Sequence, residues 1–489
     1  VVTKSVLATV VTAVLVSSAA TAEAASKAAP VKKASTTRTA TATRAEVQDV
    51  QAQLQTLADR LNKLEAANSA LQSENSDLKA LVERRDAETD YLKAQTKELR
   101  QESAVAANEI SKVKGADWAT KVKARGDLRY RHEYIGTERV VGSGATATVE
   151  DAADRDRQRI RARLGFDATI TDHVKGTLLF ATGADDPRSS NQTLGTQGSR
   201  KSIGLDLAFV DWNVKPGINI VLGKQTWPNW RPGNSLFYDA DYNPEGGSVR
   251  FDRGMFFGSV YGWWLSEQYN SNPLGENSDG NVIGAQVGVK FPLFGNEARV
   301  AANYYECGAC KDQTSILFGN AATAANTVGN GNTVYRPNNT VPWSLKYGYD
   351  VLEIGAEVNA TVFKLPFQVW ANWAQNTASD VDLNTAIAAG VSLGKASNPK
   401  TWQAALWYQD IEKDALFGQF VDSDFGDGRT DSDGWVLRGA YAPVRNITIQ
   451  ATYFMNKLNK DVAPVSGPTY NIGRDLDYDR LQLDLNYKF

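Results

Sequence analysis

Histidine, cysteine and methionine are nearly absent, with two of each in 489 residues. His132 and His173 leave little material for histidine-based acid–base catalysis, and two cysteines add little toward a His/Cys metal site. Neither sign of charge is in excess. Lysine and arginine number 53 against 56 aspartates and glutamates, a net charge of −3, whereas a nucleic-acid binder carries a clear basic surplus. Long apolar runs are missing too. Beyond the N-terminal segment no stretch approaches the roughly 18 consecutive apolar residues of a membrane-spanning helix. What the chain does have is Gly (39), Tyr (18) and Trp (12), with arginine and aspartate concentrated at particular places.

Those residues fall into four segments. Residues 1–24 read as a secretory signal: Lys4 is basic, "VLATVVTAVLV" is apolar, and "ATA" and "AEA" end in small residues at Ala22 and Ala24. Residues 25–45 are a basic linker rich in Ala and Thr, without the apolar side chains to build a core. Over residues 46–115 a seven-residue repeat appears. Val47, Leu54, Leu61, Asn68, Asn75 and Val82 mark one seam position, and Val50, Leu57, Leu64, Leu71 and Leu78 mark the other. This is the pattern of an α-helical coiled coil. At about 1.5 Å per residue it makes a rod on the order of 100 Å long. Asn68 and Asn75 at core positions fix register and partner number at a cost in stability. The repeat implies self-association.

From about Trp118 to Phe489 the period becomes two. In "KVKARGDLRYRHEYI" one face is Val122, Ala124, Gly126, Leu128, Tyr130, His132 and Tyr134; the other is Lys121, Lys123, Arg125, Asp127, Arg129, Arg131 and Glu133. "DRDRQRIRARLGF" puts arginine at 155, 157, 159, 161 and 163. At about 100° per residue a helix scatters the five around its axis, whereas a strand keeps them on one face. Further strands are expected near 174–183, 203–214, 218–225, 246–252, 255–267, 281–292, 297–307, 350–362, 365–376, 385–395, 401–412, 434–443, 447–458 and 478–489. The total is about 16, within a range of 14–18.

The connections alternate in length. Short ones such as "TDH", "KPG", "DRG" and "FGNE" separate long ones near 136–156, 184–202, 226–245, 268–280, 308–349, 413–433 and 459–477. Short turns at one end and long loops at the other are the layout of a transmembrane β-barrel. The expected fold is an all-β barrel of antiparallel strands preceded by the coiled coil. Its apolar face meets outer-membrane lipid and its charged face lines the lumen. Aromatics near strand ends, including Trp263 and Trp264, Trp370 and Trp373, and Trp402 and Trp407 with Tyr408, are expected at membrane interfaces.

The last strand, "YDRLQLDLNYKF", alternates to a terminal phenylalanine and resembles the C-terminal assembly signal of Gram-negative outer-membrane proteins, with Tyr487 and Phe489 as its aromatic positions. Residues 118–489 resemble the putative-porin family in "RQRIRARLGFDATI", "LDLAFVDWNVKPGINIVLGKQ" and "FVDSDFGDGRTDSDGW". The signal and coiled coil resemble porins with a periplasmic coiled-coil stalk. The resemblance implies an outer-membrane channel for passive diffusion of small hydrophilic solutes. It is expected to be a homo-oligomer, a trimer by preference, with its coil in the periplasm and a possible contact to peptidoglycan. A tether from membrane to cell wall is the alternative function. Neither histidine has a lumenal nucleophile partner, so catalysis is not expected, and the barrel needs no cofactor.

Lys121, Lys123, Arg125, Arg129, Arg131, Arg157, Arg159, Arg161 and Arg163 are the candidate pore-lining residues. Two readings stay open. The wall attracts anionic or dipolar solutes, or it is neutralised by acids such as Asp127, Glu133, Asp167 and Asp484. The third long loop narrows the pore in sixteen-stranded porins, and by resemblance Asp239, Asp241 and Glu245 are placed opposite the arginines. "VDSDFGDGRTDSDG" collects Asp422, Asp424, Asp427, Asp431 and Asp433. Its spacing does not match the twelve-residue Ca2+ loop, and an acidic turn is preferred over a Ca2+ site. Cys307 and Cys310 in "CGAC" are expected to form a loop disulfide, as suits an exported chain.

Overall fold

A computed structural model describes residues 44–112, 120–141, 148–183, 186–267, 279–308, 310–312, 329–335, 344–458, 460 and 475–489. The expected signal and nearly all of the linker lie outside these residues. The chain divides into two units, Val1–Ala104 and Val105–Phe489.

The first unit contains most of one helix, α1 (Arg44–Lys112). Its apolar seam is uncovered. Leu54, Leu57, Leu61, Leu64 and Leu71 are all more than half exposed, with Leu64 at 68%. Helices in proteins gain most of their stability from a packed apolar face, and on α1 that face is exposed.

The second unit is a closed antiparallel barrel of sixteen strands. In chain order they are β1 (Val122–Val141), β2 (Arg155–Thr169), β3 (Val174–Thr182), β4 (Ile203–Lys215), β5 (Ile218–Lys224), β6 (Glu245–Arg253), β7 (Phe256–Ser266) and β8 (Gly280–Leu293). Then follow β9 (Asn296–Gly308), β10 (Asp350–Val362), β11 (Leu365–Asn376), β12 (Thr385–Gly394), β13 (Thr401–Ile411), β14 (Ser432–Ala442), β15 (Ile447–Leu458) and β16 (Leu476–Lys488). Each pairs with its sequence neighbour. β16 closes the ring on β1, from Asp127 opposite Lys488 to Thr137 opposite Tyr478. Among the described residues the barrel itself has no edge strand, which removes the unpaired backbone groups that lipid cannot satisfy.

The alternation fixes which side chains point out. Leu128, Tyr130, Leu164, Leu178, Leu205, Ile283, Leu437, Leu483 and Leu485 are exposed on the outer surface, while the charged alternates of the same strands turn inward. An exposed apolar belt around a closed barrel suits lipid rather than water. The seam is sealed by the terminal residue. Phe489 N donates to Gly126 O and Gly126 N donates to Phe489 O, each at 3.0 Å. A Cβ at Gly126 would come within 2.5 Å of both the Phe489 ring and the Arg163 carbonyl, so the closure requires glycine there.

Candidate functional site: a charged wall and two inward loops

Strand register brings the arginines together. On β1 and β2, Asp127 pairs with Arg163 and Glu133 with Arg157, but Arg129 stands opposite Arg161 and Arg131 opposite Arg159. Like charges directly opposite destabilise a sheet, so the two cation–cation rungs need carboxylates from elsewhere. β16 supplies Asp484, opposite Arg131. It accepts from Arg131 Nε at 2.7 Å and Nη2 at 2.9 Å. Glu133 gathers Arg157 and Arg480. Asp127 takes Arg161 and Arg163, at 2.8 and 2.7 Å. Asp167 takes Arg125 at 2.7 Å.

The remaining carboxylates come from two loops that fold into the lumen. L3 (225–244) crosses the barrel on a ladder of inward amides and acids. Gln286 accepts from Trp230 N at 2.8 Å, Glu357 from Gly233 N at 3.1 Å and Gln409 from Leu236 N at 3.0 Å. Gly233, with φ +49°, lies against the Trp370 indole where a Cβ would clash. At the far end of L3, Asp241 lies 3.7 Å from Arg161 and 3.5 Å from Arg163.

L7 (412–431) enters from the opposite wall. Asp424 meets Arg131 at 3.0 Å and Arg480 at 2.7 Å. The two loops dock on each other through rings. Phe420 lies 5.4 Å from Trp227 and 4.9 Å from Tyr242, centroid to centroid. Asp239 N donates to Phe420 O, and Ser423 N to Asp239 Oδ2, both at 2.7 Å. L7 is braced from behind by a buried ion pair, Lys413 to Asp431 at 3.2 Å. Asn332 adds donations to the Lys413 and Leu416 carbonyls.

The acids of this junction are tuned apart. Burial, with Asp424 nearby, pushes the Asp422 carboxyl up to about 6. Burial and the charges of Asp422 and Asp241 raise Asp239 as well. Burial opposes ionisation of Asp424 too, but Arg480 and Arg131 together overcome it and hold that carboxyl well below the usual range. Asp424 is therefore the firm anion of the junction.

A walled lumen crossed by charged loops is the anatomy of a diffusion pore, and the sequence comparison decides the family. The "Putative porin" family model matches residues 136–340 and 342–489. The chain belongs to that family. Similar solved structures include the porin OprB of Pseudomonas putida at high pH, 12% identical, covering 76% of this chain and 95% of that one, with a TM-score of 0.46. OmpT of Vibrio cholerae, in its trimer form, is 11% identical, covers 75% and 99%, and has a TM-score of 0.41. OmpF of Salmonella typhi in complex with daunomycin is 12% identical, covers 75% and 97%, and also has a TM-score of 0.41. No curated protein matches. The porin is an outer-membrane channel protein.

Several expectations for the porin need correction. Of the three acids placed opposite the arginines, only Asp241 reaches them. Asp239 is buried against L7, and Glu245 opens β6 and pairs with Lys224 at 3.1 Å. Lys121 lies one residue before β1, and Lys123 and Arg125 are exposed toward the short-turn end of the strand. Trp263, Trp370 and Trp407 are not membrane-interface rings. They are buried inside the lumen, whereas Trp264 and Trp402 are exposed outside. Adjacent strand residues face opposite ways, so a Trp–Trp pair must split.

The aspartates of 421–434 are already engaged. Besides Asp424, Asp427 meets Arg429, Asp431 meets Lys413, and Asp433 accepts from the Tyr408 hydroxyl. Asp422 accepts from two backbone N–H groups. Among the described residues no acidic group is arranged to hold a metal. Cys307 and Cys310 are joined, with Cα atoms 5.6 Å apart. Sequence reasoning missed Arg480 and Arg438. Both fall on the polar alternate of their strands, and that parity was the available signal.

Proposed function

We propose that this porin conducts small hydrophilic solutes by passive diffusion with a preference for anions. The observation that carries the reading is an imbalance on the wall. Eight guanidinium groups (Arg125, Arg129, Arg131, Arg157, Arg159, Arg161, Arg163 and Arg480) share six ion-paired carboxylates (Asp127, Glu133, Asp167, Asp241, Asp424 and Asp484). Partial neutralisation supports the screened-wall reading, and the surplus of guanidinium groups among these ion pairs supports a positive local field. A low-dielectric rim around a wet lumen focuses that field on passing ions. L3 and L7 together set the size limit.

In this reading residues 1–24 direct export, β1 begins at the short-turn, periplasmic end, and the coil belongs to the periplasm. The uncovered leucine seam of α1 supports joining to other copies of the chain, as a trimer, and the basic linker supports a contact to peptidoglycan. Deleting residues 229–243 tests the pore reading. Single-channel conductance in planar bilayers rises severalfold if L3 narrows the lumen. Unchanged conductance of a folded, inserted variant refutes it.

A further inference from the structure

A cavity of about 630 Å3 opens at the short-turn mouth of the barrel and adjoins L3 through Glu357, which accepts from Gly233 N and from two lining amides. Asn359, Gln368, Ser392 and Gln403 line it from four consecutive strands, β10 to β13, all on inward positions. Lys395, from the β12–β13 turn, and Lys488, at the end of β16, close it. No lining residue is acidic. The arginine wall, by contrast, is threaded with carboxylates.

The polar groups divide into those that hold the cavity and those left open to it. Glu357, just outside the lining, accepts from Asn359 Nδ2 at 2.9 Å and Gln368 Nε2 at 3.2 Å, and Gln368 also donates to Asn359 Oδ1 at 3.0 Å. This chain fixes the two amides and leaves Gln368 Oε1 as an acceptor. The Ser392 hydroxyl and the half-buried Gln403 amide line the cavity and form no hydrogen bond among the described residues. The Lys395 and Lys488 ammonium groups have no carboxylate within ion-pair distance among the described residues. Here an unpartnered hydroxyl, an unpartnered amide and two uncompensated cations border one concave space.

We propose that this cavity is a binding site for a polyhydroxylated organic anion, in which Lys395 and Lys488 receive the carboxylate or phosphate and Ser392, Gln403 and Gln368 bond the hydroxyls. Hydroxyls act as both donors and acceptors, as do side-chain amides, so the pairing is chemically matched. A chloride ion takes only the charge, and a neutral sugar takes only the amides. The site deepens the anion-preferring pore reading and rests on it. It adds a second, chemical filter at the mouth opposite the long loops.

The test is current fluctuation of the purified full-length protein in planar bilayers with gluconate, glucose or chloride as the probe. Gluconate gives saturable interruptions of current, and glucose binds at least tenfold more weakly. Lys395→Gln with Lys488→Gln weakens gluconate at least tenfold and leaves glucose unchanged, while the Lys→Arg pair restores gluconate. Gln403→Ala weakens both probes. Heat-modifiable mobility and insertion of conducting channels certify that each variant is folded. A wild-type channel that conducts chloride but shows no saturable gluconate interruption overturns the site and spares the pore. A double glutamine variant that binds gluconate as the wild type does also overturns it. A wild-type protein without conductance overturns the pore reading instead.

Discussion

Replacing Arg159, Arg161 and Arg163 together by glutamine removes three charges from one inward face of β2. The consequence for permeation follows from the contacts. Arg161 and Arg163 are the partners of Asp127 and the near neighbours of Asp241, so the substitution deletes cations and uncovers two anions. In water a unit charge about 5 Å from a passing ion is worth about 0.8 kcal/mol. Three such charges sum to about 2.4 kcal/mol, near 50-fold in the chloride concentration at the wall, with an effect of opposite sign on potassium. Screening at 0.1 M salt, with a Debye length of about 10 Å, brings this to about tenfold. The channel is expected to turn from anion- to cation-favouring. The assay is reversal potential across a tenfold KCl gradient, repeated near 1 M, where the change shrinks.

Stability must be followed in the same variant. The Asp127 side chain is only 13% exposed, and stranding a buried carboxylate costs about 3–5 kcal/mol. A lower Tm is therefore expected. If the triple variant is folded and conducts, yet its permeability ratio lies within twofold of wild type, the arginine row does not set selectivity.

Other expectations are independent of that row. The raised carboxyl of Asp422, about 6 against an ordinary 3.8, means that the folded protein holds this proton more tightly than the unfolded chain. Its contribution to stability is full below about pH 4 and is lost as pH rises to about 6. Asp422→Asn is expected to gain Tm on wild type across that window, and a difference that does not vary with pH refutes the assignment. Gly126→Leu places a side chain in the Phe489 ring, and heat-modifiability is expected to show little closed barrel; a normal yield of folded protein contradicts the seam geometry. Leu57→Asp with Leu64→Asp puts charges into the α1 seam, and sedimentation of the detergent-solubilised full chain is expected to fall to smaller species. An unchanged mass means that α1 does not join copies.

The barrel was legible because its determinants are local. Alternation within a strand distinguishes lipid side from lumen side, and a turn of two or three residues dictates an antiparallel neighbour. All sixteen expected strands have observed counterparts, β6 and its short neighbours included. The same parity put Arg157 to Arg163 on one inward face, and it carried Arg480 and Arg438 there unnoticed.

Loop paths were not legible. Nothing within 225–247 separates Asp241, which reaches the wall, from Asp239, which L7 covers, or from Glu245, which starts a strand. Asp424 read as part of a turn or an ion site because its actual partners, Arg131 and Arg480, lie far off in sequence. The strands' sequence determined the barrel, its polarity and its row of cations, since period and turn length act between adjacent residues. Only the tertiary structure decided how that row is balanced. Two cation–cation rungs set by strand register are relieved by carboxylates that loops L3 and L7 bring across the lumen, and such a match exists only once the ring has closed.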